Sequence, residues 1–351
     1  MKFPELTMEE RLAKLAPKKD GILQVVIDSD TKNEVDDQFA ITYALMSTER
    51  LNVQATYAAP FSSTFFVERL KSSDEALPMT SDVGEGMRQS LEEQRKLFRL
   101  LGKDPEGKTF AGSESYMKEK GVPVESDAAR DLVRRAMSSK ETLYVLAIGE
   151  ITNIASAILM EPEIIRNIVV VWLAGQPLNW PTTLEFNLGQ DIIASQTILD
   201  SGVPVVLVPC MSVASNLTTT GPELEYYIKG KSKVGTFLAD TVISQLTQEM
   251  GNVWLNLINM TYNKGLDDYK GESPRTDTMI ACSRIIWDIS TVAYVVNHNW
   301  CPSTIVPTPV LNDDITWDTS DKNRHPMRIV NFVYRDAIFG DMFSKIQKAP
   351  K

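Results

Sequence analysis

Asp28, Asp30, Glu34, Asp36 and Asp37 put five carboxylates into ten residues. At an effective dielectric near 20, two such charges about 4 Å apart repel by roughly 4 kcal/mol. A fold that gathers them therefore surrounds each with water or places a cation among them. Local rules explain less of the pattern. Asp36 or Asp37 can cap the helix that starts beside them, but a cap leaves Asp28 and Asp30 unexplained. An EF-hand register starting at Asp28 puts Lys32 at position five and Phe39 at position twelve, where glutamate is required, and supplies no turn glycine.

The elements around this cluster must aim it. Residues 22–27 form a short apolar run, as expected of a strand covered on both faces. The acids begin where the run stops, and residues 38–46 continue as a helix. Further strands are expected at 51–58, 142–148, 168–174 and 203–209, with helices at 87–101, 127–138, 153–160 and 192–199. Gly102 stops the first of these helices and Ser126 caps the second. This alternation predicts an α/β fold, a mostly parallel open central sheet with helices on both faces. In such sheets ligands bind beyond the carboxyl ends of the strands, where the acids project.

Residues 60–85 read as an irregular binding loop, and a loop carries Asn179 to Gln190. The second half reads as helices at 234–249, 253–262 and 278–296, strands at 303–310 and 328–334, and a final helix after Arg335. No repeat or linker divides the 351 residues, so one domain is expected, with residues 1–20 as an extension.

A net charge of −10 disfavours nucleic acid and anionic membranes as partners. The amino terminus lacks a signal-peptide core, and no apolar run is long enough to span a membrane. Three cysteines, Cys210, Cys282 and Cys301, share no metal-type spacing and fit a reducing cytoplasm.

Two family resemblances meet at the acids. Asp28-Ser29-Asp30-Thr31 after an apolar strand resembles the nucleophile motif of haloacid-dehalogenase-type phosphatases. That reading makes Asp28 the nucleophile, Asp30 the acid/base and Mg²⁺ the cofactor. Its further Ser/Thr, Lys and acidic pair find no convincing place in the chain.

The broader resemblance is to the inosine/uridine-preferring nucleoside hydrolases, which carry Asp-x-Asp-Pro-Gly-x-Asp-Asp after the first strand. Here Asp28-Ser29-Asp30 and Asp36-Asp37 match those acids across a loop two residues longer and without the Pro-Gly turn. Residues 148–155 resemble the Thr-Gly-x-Leu-Thr-Asn segment, Glu185-Phe186-Asn187 the ribose-site triplet, and Trp287-Asp288 the distal aspartate. Phe61 stands where an asparagine often follows the second strand.

The resemblance implies hydrolysis of a ribonucleoside to ribose and free base, with one Ca²⁺ held by Asp30, Asp37, the Ile148 carbonyl and Asp288. An ion-bound water would attack the anomeric carbon and give its proton to Asp30. Asp36 would accept from a ribose hydroxyl, and Glu185 and Asn187, with Asn179 beside them, would hold the others. Asp28 would orient the loop. Trp287 stands where uridine-accepting members often have a histidine, and an indole there could stack on a purine or simply pack in the core. His298 and His325 read as structural. A homodimer or homotetramer is also implied, and a nucleoside binder without catalysis is the remaining alternative.

Overall fold

The computed structural model describes residues 2–70, 79–247 and 283–351. Its strands are β1 (Leu23–Ser29), β2 (Leu51–Ala58), β3 (Thr109–Ala111), β4 (Leu143–Ala147), β5 (Ile168–Leu173), β6 (Val205–Val208), β7 (Thr218–Thr220), β8 (Ser283–Ile285), β9 (Ser303–Pro307), β10 (Val310–Leu311), β11 (Trp317–Asp318) and β12 (Pro326–Val330). Eight of them form one sheet in the order β3-β2-β1-β4-β5-β6-β12-β9. Every pairing in it is parallel except β12 with β9.

Burial on both faces explains the unbroken Val/Ile/Leu runs. Side chains alternate along a strand, so each strand feeds two cores. Tyr144, Leu146, Val169 and Val171 enter one core with the Asp36–Met46, Val83–Leu100 and Arg335–Ile346 helices. Leu143, Val145, Val170 and Trp172 enter the other with the Asp127–Ser138, Thr152–Met160 and Ile192–Asp200 helices. The Asp36–Met46 helix is buried at every position from Asp36 to Leu45. A helix covered all round has little freedom to move, and its first turn carries two of the acids.

The chain runs outward from β1 through β2 to β3 and then returns to β4 on the other side of β1. That reversal makes the carboxyl ends of β1 and β4 a switch point, the place where open α/β sheets leave a crevice. The Ile148 amide donates to the Asp28 carbonyl (2.9 Å), holding the chain after β4 against the end of β1.

Several local expectations need correction. The stretch 60–85, expected to be irregular, contains a Thr64–Leu70 helix and the start of the Val83–Leu100 helix, capped by Asp82. Phe65 and Phe66 anchor the first of these against Phe186, with ring centroids 5.2 and 5.1 Å away, a tertiary contact with no local signal. Of the expected helix 278–296, the described part begins at Ser283 and is helical only over Ile289–Val296, while Ser283–Ile285 is strand β8, paired antiparallel with β7. That pairing takes the backbone out of helical form before Asp288, which becomes the N-cap of the helix. The loop to Gln190 contains a Phe186–Gly189 turn of helix. The run 303–310 divides into β9 and the start of β10, while the one at 328–334 is strand only to Val330. The helix expected at 253–262 lies outside the described residues.

The amino-terminal extension is docked onto the rest of the chain. Leu15 is fully buried in the first core, and its carbonyl accepts from Tyr294 Oη and Arg328 Nε, both at 2.8 Å. Leu15→Ala is therefore expected to cost about 2–5 kcal/mol in a denaturant titration. A loss below about 0.5 kcal/mol, the range of an ordinary surface change, would show the extension to be a passenger.

Candidate active site

One cavity opens at the switch point. Asp30, Asn33, Glu34, Asp36, Asp37 and Asp288 line its acidic side. Ile148, Leu173, Glu185, Phe186, Asn187, Cys210 and Trp287 complete it. The structure thus brings together eight of the nine site residues read from the sequence, across 258 positions from Asp30 to Asp288. Asn179 is the ninth. It is exposed and lines a neighbouring hollow with Trp180, Pro209 and Ile329.

The acids are fixed by their elements. Asp36 and Asp37 sit in the first turn of their helix, where free backbone amides and the dipole favour negative charge. The Ser29 hydroxyl donates to Asp37 Oδ1 (2.6 Å), and Asn33 Nδ2 donates to Asp30 Oδ2 (2.9 Å). The Asp288 amide donates to Asp36 Oδ2 (3.3 Å), joining the distal aspartate to the first cluster.

Burial and mutual repulsion shift these groups together. Burial, and then Glu34, push Asp36 up to about 7 against the opposing pull of Arg284. Burial pushes Asp37 well above the usual carboxylate range, with Asp36 adding to the shift and the Ser29 bond opposing it. Asp288 is raised by burial, then by Asp36, Asp37 and Asp30. Asp30 is raised by burial, then by Asp37 and Asp36. Such a cluster is costly until protons or a cation neutralise it.

The donor set fits a hard divalent cation. Asp36, Asp37 and Asp288 each bring one carboxylate oxygen to within 4.8 Å of the others. Asp30 lies outside that triad, but its Oδ1 is buried without a hydrogen-bond partner. All these donors are oxygens, the preference of Ca²⁺ or Mg²⁺. The triad includes Asp36, to which the resemblance gave a ribose hydroxyl instead.

Asp28 faces elsewhere. Its Oδ1 accepts from Asn153 Nδ2 (2.9 Å), whose own Oδ1 accepts from the Ser113 amide (2.8 Å) and the Ser126 hydroxyl (3.2 Å). Burial pushes it up to about 7, although the Asn153 bond pulls down. It does not line the cavity, and a phosphatase nucleophile would have to.

On the opposite wall, Glu185 caps the Phe186–Gly189 turn. It accepts from the amides of Asn187 (2.9 Å), Leu188 (3.0 Å) and Gly175 (2.9 Å). The Cys210 thiol also hydrogen-bonds to it. Asn187 Nδ2 donates to the Leu173 carbonyl (3.1 Å), which turns that amide group toward the end of β5. Trp287 belongs to the first core and still lines the cavity.

Sequence reasoning gave no site role to Asn33, Cys210 or Arg284, and named Phe186 and Gly149 only as parts of longer motifs. A Cβ on Gly149 would lie 2.6 Å from the Asp30 amide nitrogen and 3.0 Å from its Oδ1, so only glycine lets this backbone close on Asp30. Cys210 could have been found from its place at the end of a strand. Arg284 pairs with Glu34 from 250 residues away, which leaves no local trace.

Residues 25–339 match the model of a family described as inosine-uridine preferring nucleoside hydrolase. The chain belongs to that family. It is accordingly an N-ribosyl hydrolase, acting on the N-glycosidic bond of ribonucleosides. Among its relatives, a probable uridine nucleosidase 2 of Arabidopsis thaliana is 24% identical over 221 residues, 61% of this chain and 67% of the relative. The pyrimidine-specific ribonucleoside hydrolase RihA of Klebsiella pneumoniae is 23% identical over 144 residues, 40% of this chain and 46% of its own length. A purine-preferring ribonucleoside hydrolase from Gardnerella vaginalis shares the fold with a TM-score of 0.65 at 18% identity, covering 92% of this chain and 98% of that one. Nucleoside hydrolases are metal-dependent, in keeping with the buried acids.

The raised acids carry a pH signature. The folded chain holds protons at Asp36 up to about 7, whereas an unfolded aspartate releases them near 3.8. Stability from this group is therefore complete below about 4 and is lost as pH rises through about 7, on the order of 4 kcal/mol in all. A bound cation replaces those protons, so the rise in melting temperature on adding Ca²⁺ to chelator-treated protein should grow from pH 5.5 to pH 8. An increment equal at both values would contradict the clustering.

Proposed function

We propose that the protein is a Ca²⁺-dependent nucleoside hydrolase of the cytoplasm, preferring purine nucleosides and acting as a homodimer or homotetramer. The observation that carries the metal reading is the set of four buried aspartates, each raised by burial and by its neighbours, three of which (Asp36, Asp37 and Asp288) bring carboxylate oxygens within 4.8 Å of one another. Asp37, Asp288, Asp30 and the Ile148 carbonyl would hold the ion, and Asp36, which shares a triad with Asp37 and Asp288, is close enough to join them. Such a cation would supply a water acidified toward neutral pH and a fixed point for sugar hydroxyls.

The chain's own groups do the rest. Asp30 accepts the proton of the attacking water through Oδ1, the oxygen without a protein partner. Bond cleavage at the anomeric carbon builds positive charge on the sugar, and the surrounding carboxylates favour that charge. Asp36 and Asn187 orient ribose hydroxyls. Glu185, whose oxygens already accept three backbone amides, chiefly shapes the turn that presents Asn187.

The departing base needs help, and neither His298 nor His325 lines the cavity. Trp287 is the aromatic group beside the distal acid. Stacking on its indole eases the departure of a purine more than that of a smaller pyrimidine, which supports the preference. Three observations bear on location and partners. No helix of the described residues is long and apolar enough to cross a membrane. The net charge is −10, and cysteines are few.

Reducing-sugar release from a nucleoside panel tests this reading, with phosphate release from a phosphomonoester as control. Ribose release should stop with a chelator, return with Ca²⁺, and be faster for inosine than for uridine. Tight nucleoside binding without ribose release would leave only a binder, and equal rates on the two nucleosides would remove the purine argument. Asp30→Asn should lower kcat by about 100- to 10,000-fold, the range for a general base. Asp28→Asn should instead act on stability.

A further inference from the structure

The interval from Asp30 to Asp36 holds five residues, Thr31 to Val35, and the structure shows where that length goes. Lys32 takes a positive φ of 110°, a backbone conformation costly for a residue with a Cβ. The turn it makes sends Asn33 inward. Asn33 is 7% exposed and lines the cavity. Its amide donates to the Asp30 carbonyl (3.1 Å), its Nδ2 donates to Asp30 Oδ2 (2.9 Å), and its Oδ1 accepts from the Glu34 amide. One asparagine thus grips Asp30 at both backbone and side chain. The other carboxylate oxygen, Oδ1, is left without a partner.

Glu34 anchors this arrangement from the far side. It forms an ion pair with Arg284 of β8, whose side chain is 4% exposed. Arg284 precedes Asp288 by four residues, and the Asp288 amide donates to Asp36. The longer loop is therefore tied at two points to the segment that brings the distal aspartate into the site.

We propose that Asn33 is a positioning residue for the reaction, holding Asp30 by one oxygen so that the other faces the attacking water, with the Glu34–Arg284 pair as the clamp that keeps Asn33 in place. The proposal rests on the reading of Asp30 as the proton acceptor. A carboxamide suits the task because it fixes the carboxylate's rotation without adding charge to a crowded site. Its hydrogen bond lies within the protein and orients the proton acceptor without touching the substrate, so its loss should appear in kcat rather than in substrate binding.

The test compares Asn33→Leu, of similar size but with no donor, with Asn33→Ala, Glu34→Gln and Asp30→Asn. All are assayed on the best nucleoside substrate at Ca²⁺ concentrations shown to saturate each variant. Both Asn33 variants should lower kcat about 10- to 100-fold, the scale of a small misplacement of a reacting group. Their KM should stay within about threefold and their melting temperature within about 2 °C. Glu34→Gln, which keeps the amide but breaks the ion pair, should lower kcat by about three- to tenfold. Wild-type kcat in both Asn33 variants beside an inactive Asp30→Asn would overturn the positioning role and leave the function standing. So would a fall in kcat matched by an equal rise in KM and a lost melting transition, since that is the mark of mere packing. Full kcat in Asp30→Asn would instead overturn the function on which the proposal rests.

Discussion

Four aspartates buried within reach of one another are the constraint the rest of the structure answers to. Asp30, Asp36, Asp37 and Asp288 are each raised first by burial and then by neighbouring acids. Left to themselves such groups separate or protonate. They stay together because each is carried by an element that cannot move. Asp30 follows a strand at the middle of an eight-stranded sheet, and Asp36 and Asp37 open a helix buried along its length. Asp288 stands at the N-cap position of a helix whose approach is pinned by the β7–β8 pair. The packing energy of two cores thus holds a local arrangement that electrostatics alone would disperse.

The neutral groups around the acids point the same way. Ser29 and Asn33 each donate to one oxygen of an aspartate, and Asn153 takes Asp28 out of the cluster. The opposite wall, built on Glu185 and its three amide donors, is satisfied within itself. The cavity therefore has one unbalanced, charged side and one quiet side, as expected for a site where a cation and a sugar meet.

Much of this was legible in the sequence because it is written in short-range patterns. Apolar runs of four to eight residues mark strands buried on both faces, and the acids fall where β1 ends. The sites at Glu185, Asn187 and Asp288 were legible only through resemblance, since nothing local separates a cavity-lining acid from a helix cap. What stayed hidden depends on distant partners. Phe65 and Phe66 make sense only against Phe186, Glu34 only against Arg284, and the strand at Ser283–Ile285 only against β7. An apolar, periodic stretch such as 278–296 reads as one helix until the pairing across the fold is known. Asn33 was in plain view inside the acidic motif, but a lone asparagine in a loop says nothing until its amide is seen on Asp30.

A single divalent-ion site built from the four aspartates should be visible in solution. Isothermal titration of Ca²⁺ into chelator-treated protein at pH 7.5 measures it directly. One ion should bind per chain, with binding abolished in both Asp37→Asn and Asp288→Asn while each variant keeps its folded far-UV spectrum. An absence of binding in the wild-type protein, or undiminished affinity in both variants, would contradict it.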